Sequence, residues 1–302
     1  MKLSTSTYDF LSISDNIVDH ILCYENTGFR YLNLAMEFEA KPDKPLGQDG
    51  EAWYRMFDNI GEAAAKMGLV LIMAHAPGEA ILHGVDRDMY IRAVNRCIEG
   101  CALLGIKDLV IHPAWNKDFF YKEYLFKENI EFFSLVLPTA EKFSINILVE
   151  NNFYTNGVLN NGSDMLELCK AINHPLFYVC WDTGHARLAN VDQYESITFL
   201  GKKLRGLHIQ DNEGYSDRHT GPFMGDINFD PIMQALIDIN YGGYFNFESV
   251  FILKPNHRNP WVYHGLPVNR LTVPPKHLIQ MAVRFLHEIG VYLLSSYGVY
   301  EI

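Results

Sequence analysis

Residues 177–185 read Phe-Tyr-Val-Cys-Trp-Asp-Thr-Gly-His, and this short stretch carries the pattern from which the fold follows. A run of mostly apolar residues ends on an acidic side chain, Asp182, and a glycine and a histidine come soon after it. Apolar runs of this length are typical of strands that are covered on both faces, as the strands of parallel sheets are. Asp182 then lies at the carboxyl end of such a strand, where parallel α/β folds place their functional groups.

The same pattern recurs along the chain at intervals of about 30 to 40 residues, usually with a longer helical stretch after the apolar run. The predicted strands are Leu3–Ser6, Tyr31–Met36, Leu69–His75, Asp108–His112, Asn146–Glu150, Phe177–Asp182, Gly206–Gln210 and Tyr244–Glu248. The clearest predicted helices are Glu51–Met67, Asp86–Leu104, Lys122–Phe143, Asp164–Ile172, Asp230–Ile239 and Lys276–Ser295. Eight parallel strands close most simply into a barrel, so we expect an α/β chain that forms one (β/α)8 TIM barrel over residues 1–302.

Two stretches are longer than a minimal connection. Ala40–Gly50 is rich in Pro, Lys, Asp and Gly, and Lys254–Pro275 contains five prolines. Both follow predicted strand ends, and long loops at these ends commonly build the walls of a binding site. We therefore expect extended βα loops at the C-terminal mouth of the barrel, with simple surface insertions as the alternative. The last loop is long enough to reach a neighbouring subunit, which leaves a homo-oligomer open.

Composition and charge make several classes of partner unfavourable. The chain has 36 acidic and 25 basic side chains, for a formal net charge of −11, which makes nucleic acid an unfavourable partner. We find no uninterrupted apolar run of about 18 to 20 residues and no basic leader, so we expect no membrane association and a cytoplasmic location. The five cysteines form no CxxC pair, which suits a reducing compartment, and Cys97 and Cys101 are predicted to be buried.

Four of the later strands carry metal-binding side chains at or near their carboxyl ends. These are Glu150, Asp182, His208 and Glu248, which face one another across the mouth of a barrel. Three carboxylates in one cavity would repel one another and raise each other's pKa, and a bound cation removes that cost. Carboxylates with one imidazole suit Mn²⁺, Zn²⁺, Co²⁺ or Mg²⁺. The sequence therefore predicts a site for a divalent metal ion.

Further histidines are predicted at the same mouth. His75 closes the third strand and His112 closes the fourth, while His185 follows Asp182 by three residues. Asp217 and His219 lie in the polar loop after the seventh strand. These five side chains are candidates for a second metal site or for contacts to a substrate.

The strand-end motifs resemble those of one large superfamily. Glu150-Asn151, Asp182-Thr183-Gly184-His185, His208-Ile209-Gln210-Asp211 and Phe247-Glu248 are similar, in order and spacing, to motifs of the xylose isomerase-like barrels. That superfamily includes sugar phosphate isomerases and epimerases and the abasic-site endonucleases. The resemblance covers about Leu3 to Leu293. It implies Glu150, Asp182, His208 and Glu248 as ligands of one divalent ion, with Glu150 and Glu248 also acting as the catalytic acid/base pair of isomerase members.

The chemistry of such a pair is proton transfer next to a carbonyl. A C–H proton is removed from a carbon that the neighbouring C=O makes acidic, and a cation stabilises the resulting enediolate. Carboxylates on two faces of the sugar invert a centre, whereas one carboxylate that moves a proton between neighbouring carbons converts an aldose to a ketose. We expect a metal-dependent isomerase or epimerase of a small-molecule sugar or sugar phosphate, with the choice between the two reactions open.

The alternative is a zinc-dependent phosphodiester hydrolase. In the abasic-site endonucleases, positions matching nine residues of this chain hold three zinc ions: His75, His112, Glu150, Asp182, His185, His208, Asp217, His219 and Glu248. Such a cluster suits phosphodiester hydrolysis. The acidic net charge, the lack of a basic run near the mouth and the lack of an Arg/Tyr set in the loops after strands two and three favour the sugar chemistry.

Three further residues are candidates for substrate binding. Arg187 and Arg218 lie near the predicted mouth and suit an anionic group such as a phosphate or carboxylate. Trp115 follows the fourth strand and suits the apolar face of a sugar ring. A surface position for either arginine, and packing at the rim for the tryptophan, are the alternatives.

Overall fold

Eight parallel strands alternate with helices in the computed structural model, which describes residues 1–36, 39–78, 87–114, 121–153, 158–250, 252–253, 261–264, 266–268, 271 and 273–302. The strands are β1 Lys2–Ser6, β2 Tyr31–Ala35, β3 Val70–His75, β4 Asp108–Ile111, β5 Asn146–Glu150, β6 Phe177–Asp182, β7 Leu204–His208 and β8 Tyr244–Phe247. The helices are α1 Ile17–Ile21, α2 Ala52–Met67, α3 Arg87–Leu104, α4 Lys122–Phe143, α5 Gly162–Ile172, α6 Thr183–Leu188, α7 Gln193–Leu200, α8 Phe229–Asp238 and α9 Lys276–Ser296. Short 3₁₀ turns span Thr7–Phe10 and Gly201–Lys203.

The strands follow one another around the sheet in the order β7-β6-β5-β4-β3-β2-β1-β8. The seam between β7 and β8 is closed just beyond the end of β7. There the Ile209 N–H donates to the Asn246 carbonyl at 2.8 Å, and the Glu248 N–H donates to the Ile209 carbonyl at 2.9 Å. The predicted (β/α)8 TIM barrel is therefore confirmed.

Side chains separate into an outer and an inner core. The outer core lies between strands and helices and holds large buried rings such as Phe57, Phe133 and Trp181. A separate inner apolar cluster consists of Met73, Val110, Leu148 and Cys180. Cys97 and Cys101 are buried in the outer core, as predicted.

The strand bounds agree with the predicted ones within about two residues. β7 differs most, because it begins at Leu204 and ends at His208 rather than spanning Gly206–Gln210. Its pairing with β6 shifts register between Val179 and Cys180, and beyond His208 the chain leaves the ladder. There the Thr183 hydroxyl donates to the Gln210 carbonyl at 2.7 Å and accepts the Gln210 N–H at 3.0 Å.

The long loops contain more ordered structure than their composition indicates. In the stretch 40–50, Leu46 is buried, and its carbonyl accepts a hydrogen bond from Arg96 of α3 at 2.8 Å. Within the stretch 254–275, β9 Trp261–Tyr263 and β10 Leu266–Val268 pair as an antiparallel hairpin. The short helices α1, α6 and α7 were also absent from the predicted set, since each has eight residues or fewer.

Helix α9 closes the barrel wall over β1 and β8. A Cβ atom on Gly290 would lie 2.6 Å from a Leu3 methyl and 2.8 Å from the Phe247 ring, so the helix backbone approaches both strands closely. In the described part of the chain, α9 is the one helix that length and apolar composition alone would allow to cross a membrane. About 39% of that apolar stretch is buried within the protein.

A buried carboxyl group lies just past the end of β1. Asp9 is 6% exposed and accepts hydrogen bonds from the hydroxyls of Thr5, at 2.7 Å, and Tyr24, at 3.0 Å. Burial raises the pKa of Asp9 from 3.8 to about 7, because the loss of solvation outweighs the two hydrogen bonds that lower it. Asp9 therefore keeps its proton in the folded protein at mildly acidic pH.

We predict that Asp9→Asn removes a pH dependence of stability. Between the unfolded pKa of 3.8 and the folded pKa of about 7, the folded state holds a proton that the unfolded state releases, so stability falls as pH rises through this window. The free energy of unfolding of Asp9→Asn relative to wild type should increase by about 2–3 kcal/mol from pH 5 to pH 8. Urea denaturation at the two pH values measures this, and an equal difference at both would contradict it.

Candidate metal centre

The carboxylate of Glu150 is the centre of the mouth. Its Oε1 lies 2.8 Å from His208 Nδ1 and 3.6 Å from His185 Nδ1. Its Oε2 lies 2.9 Å from His112 Nε2 and 3.1 Å from His75 Nε2. Glu150 is fully buried, so four imidazoles from β3, the β4 end, α6 and β7 converge on one carboxylate that water does not reach.

The electrostatics of Glu150 follow from this arrangement. Burial alone raises the pKa of its carboxyl group, but His208 and His112 outweigh burial through charge and hydrogen bonds and hold the pKa well below the usual range. Glu150 is therefore ionised. A buried carboxylate of this kind requires positive charge beside it, which a protonated histidine or a cation supplies.

The four predicted metal ligands lie together. Glu150, Asp182, His208 and Glu248 each offer one ligand atom, and these four atoms lie within 4.8 Å of one another. All four side chains are buried. Asp182 Oδ2 is buried and has no hydrogen-bond partner among the described residues. Three carboxylates and one imidazole with such an unsatisfied oxygen fit a divalent cation.

Asp182 is positioned by hydrogen bonds to the start of α6 and to Asn151, the residue that follows β5. Its Oδ1 accepts the backbone N–H of His185 at 2.6 Å and so caps the start of α6, which leaves Oδ2 for the mouth. Asn151 accepts the Asp182 N–H at 2.6 Å and donates to the Asp182 carbonyl at 3.0 Å. Burial raises the pKa of Asp182, and Glu150 adds to this although the charge of His185 opposes it.

A second group of ligand atoms consists of His185, Asp217 and His219, again within 4.8 Å of one another. Asp217 Oδ2 lies 2.9 Å from His219 Nε2 and 3.5 Å from His185 Nε2. The Nδ1 of His185 lies 2.9 Å from the Asn151 carbonyl, an arrangement that leaves Nε2 for Asp217. Burial lowers the pKa of His219, but the charge of Asp217 outweighs it and raises that pKa to about 9.

A third group consists of His75, His112 and Glu150, and it shares Glu150 with the first. The Nδ1–H of His75 donates to the Ala76 carbonyl at 2.7 Å, which leaves Nε2 facing Glu150. The structure thus brings all nine predicted strand-end and loop residues into one continuous cluster.

The loop after β7 is held to the mouth by buried amide groups. Gln210 donates to Asp217 Oδ1 at 2.6 Å, and its Oε1 lies 3.4 Å from the Asn212 side-chain amide. Asp211 accepts the backbone N–H groups of Gly225 and Ile227, both at 3.0 Å. This loop therefore presents Asp217 in a fixed position.

The predicted substrate residues are placed differently. Arg218 is ion-paired with Glu213 at 3.2 Å on the rim. The guanidinium of Arg187 lies beside Gly214, where a Cβ atom would be 2.9 Å from its Cζ. Trp115 lies outside the described residues. Their substrate roles stay predictions.

Three residues that contact the site were not among the predicted ones. Asn151 and Gln210 stood within the quoted motifs, and Asn33 lies on β2, where its Nδ2 is 3.4 Å from His208 Nε2. The available signal for Asn33 was a polar residue between Leu32 and Leu34 in an otherwise apolar strand. A buried polar side chain in an apolar strand is expected to form a hydrogen bond with another buried polar group.

The fold and this cluster define a class. A parallel barrel whose carboxyl-terminal mouth gathers histidines and carboxylates matches the xylose isomerase-like TIM barrels, and the sequence profile of that family matches residues 25–262. The chain belongs to this family.

Individual relatives narrow the comparison. The uncharacterized protein MJ1311 of Methanocaldococcus jannaschii is 28% identical over 189 residues, which cover 60% of this chain and 64% of the relative. The ketose 3-epimerase of Arthrobacter globiformis is 29% identical over 164 residues, 52% of this chain and 54% of that enzyme. The matches thus span less than two thirds of either relative. A crystal structure of the IOLI protein with a bound zinc atom superimposes with a TM-score of 0.71 at 19% identity, covering 98% of this chain and 99% of the other.

We predict that Gly184→Ala disturbs this site. A Cβ atom there would lie 2.1 Å from Gln210 Cδ, and the Gln210 side chain is buried and bonded to Asp217, so it has little room to move. The free energy of unfolding should fall by about 1–3 kcal/mol. Gly242→Ala is the matched control, because a Cβ atom there meets nothing within 4 Å. Urea denaturation compares the two, and equal stability of both variants would show that the site tolerates the methyl group.

Proposed function

We propose that this protein is a divalent-metal-dependent epimerase or isomerase of a small sugar, free or phosphorylated, with Glu150 and Glu248 as its acid and base. One observation carries the proposal: two buried carboxylates from different strands meet at the same imidazole. His208 Nδ1 lies 2.8 Å from Glu150 Oε1 and 3.3 Å from Glu248 Oε2. A carbonyl compound in the mouth would therefore lie beside both carboxylates.

The two carboxylates come from separate parts of the barrel wall. Glu150 ends β5 and Glu248 follows β8, with β6 and β7 between them. Carboxylates that reach one substrate from different sides are what inversion of a carbon centre requires, since one removes a proton and the other returns it to the opposite face. If a single carboxylate serves two neighbouring carbons, the same site performs an aldose–ketose conversion.

Other groups of the chain would bind the cation and the substrate and exclude water. Glu150, Asp182, His208 and Glu248 would hold the cation, which, when bound, polarises the substrate carbonyl and stabilises the negative charge that develops on its oxygen. The buried walls around Glu150 and Glu248 keep bulk water from the C–H proton. His185, Asp217 and His219 offer hydrogen bonds to substrate hydroxyls.

The similar proteins support the proposed epimerase or isomerase function. The Arthrobacter globiformis relative is named a ketose 3-epimerase, and the IOLI protein contains a zinc atom in a barrel that superimposes along nearly the whole chain. The acidic net charge of −11 is unfavourable for a nucleic acid. Zinc, manganese, cobalt and magnesium all remain candidates for the cation, because carboxylates and one imidazole accommodate each of them.

One observation favours the second candidate, a zinc-dependent phosphodiester hydrolase. Besides the three groups of ligand atoms described above, His75, His208 and Glu248 form a fourth, and the four groups together offer ligands for more than one ion. Sites with several metal ions are typical of phosphodiester hydrolysis. We predict about one tightly held ion per chain, which metal analysis after dialysis measures. About three ions per chain, together with cleavage of a phosphodiester substrate, would favour the hydrolase.

We predict that Glu150→Gln and Glu248→Gln each slow sugar turnover by about 10²–10⁴-fold, because an amide cannot take up the C–H proton. The measurement follows loss of a substrate C–H signal in deuterium oxide by NMR, over a panel of ketoses, aldoses and their phosphates with each metal in turn. Glu141→Gln is the control, since Glu141 contacts His174 away from the mouth and its loss should leave exchange unchanged. Undiminished exchange in both test variants would remove these glutamates from the proton transfer.

A further inference from the structure

The two ring nitrogens of His208 face different neighbours. Nδ1 faces the carboxylates, at 2.8 Å from Glu150 and 3.3 Å from Glu248. Nε2 faces into the barrel, where the side-chain amide of Asn33 lies 3.4 Å away. Both His208 and Asn33 are fully buried, so no water competes for these contacts. A histidine that offers Nδ1 to a cation carries its proton on Nε2 and needs an acceptor there.

The side chain of Asn33 has a hydrogen-bond acceptor that no other described residue uses. Its Oδ1 is buried and has no hydrogen-bond partner in the described part of the chain, while its Nδ2 is the atom that lies near His208 Nε2. A half-turn of the amide about its Cβ–Cγ bond exchanges the two atoms and leaves the shape of the side chain unchanged. In that orientation Oδ1 accepts the Nε2–H of His208, and Nδ2 takes the buried position that Oδ1 held. The exchange suits the state in which a cation occupies Nδ1 and the ring proton lies on Nε2.

We propose that Asn33 is the positioning residue of the metal centre: its Oδ1 accepts the Nε2–H of His208, which fixes the tautomer and the ring plane so that the Nδ1 lone pair faces the ion. The inference rests on the proposed metal-dependent function. Asn33 acts through His208 and does not itself touch substrate or cation.

Asn33 lies in β2 between two neighbouring strands. It pairs with Ser6 of β1 and with Met73 of β3, and the β2–β3 register shifts between Leu32 and Asn33. A neutral amide supplies the acceptor without a further negative charge in the metal-free protein, where Glu150, Asp182 and Glu248 already repel one another. When a cation is bound, its charge offsets that repulsion, so a carboxylate at this position can serve as the acceptor too.

The experiment compares two replacements at this position. Asn33→Leu keeps the approximate volume and removes the acceptor, whereas Asn33→Asp keeps an acceptor oxygen. The metal-free proteins are titrated with Co²⁺ against a competing chelator, and the visible absorption of bound Co²⁺ reports the ligand geometry. We expect Asn33→Leu to bind Co²⁺ about 10–100-fold more weakly with an altered spectrum, and Asn33→Asp to recover most of the affinity.

A matched control separates positioning from general stability. Asn246→Leu also replaces a buried amide in the barrel, one that accepts a hydrogen bond from Ser4 at 2.9 Å and, among the described contacts, makes none to His208. It should lower stability and leave the Co²⁺ affinity of the folded protein within a few-fold of wild type. Wild-type affinity and spectrum in Asn33→Leu, or equal losses in Asn33→Leu and Asn246→Leu, would overturn the proposal.

A second measurement needs no variant at Asn33. In zinc-loaded wild-type protein labelled with ¹⁵N-histidine, the signal that His208→Gln removes should show a protonated Nε2 and an unprotonated Nδ1. The opposite tautomer would overturn the proposal even if Asn33→Leu failed to fold. These readouts use no substrate, so a protein that binds Co²⁺ as expected but leaves every sugar unchanged would refute the proposed function alone.

Discussion

The arrangement of the mouth depends on one constraint, the ionised carboxylate of Glu150 in a place that water does not reach. A buried charge is stable only when opposite charge and hydrogen bonds compensate the lost hydration. Four imidazoles therefore lie within 3.6 Å of this carboxylate. Those imidazoles are carried by β3, the β4 end, α6 and β7. The stabilisation of this single charge therefore depends on four separate parts of the barrel rim.

Some residues at the rim contribute both to the fold and to the candidate site. Asp182 ends β6 and caps α6 through Oδ1, while its Oδ2 faces the ligand cluster. Asn151 bonds both backbone groups of Asp182, and its carbonyl lies beside His185. The same short segments thus form the fold and the site, which explains why the sequence there reads as tight motifs with a glycine where a side chain would collide with Gln210.

Periodicity and strand-end chemistry were sufficient to predict the eight strands and the side chains that gather at the mouth, because position along a barrel strand determines where a residue lies. Features that depend on particular contacts were not predictable. Examples are the hydrogen bond from the Thr183 hydroxyl to the Gln210 carbonyl beyond the end of β7, and the ion pair between Arg218 and Glu213. Asn33 was visible only as a polar residue in an apolar strand, and its partner is 175 positions away.

The seam between β7 and β8 gives the site a mechanical role. The two backbone hydrogen bonds made by Ile209 join these strands at the rim, directly between His208 on one side and Glu248 on the other. A cation held by both side chains would link β7 and β8 at a junction that is otherwise formed by an isolated β-bridge. Binding of such a cation and closure of the barrel wall would then be coupled, and its removal would loosen this junction.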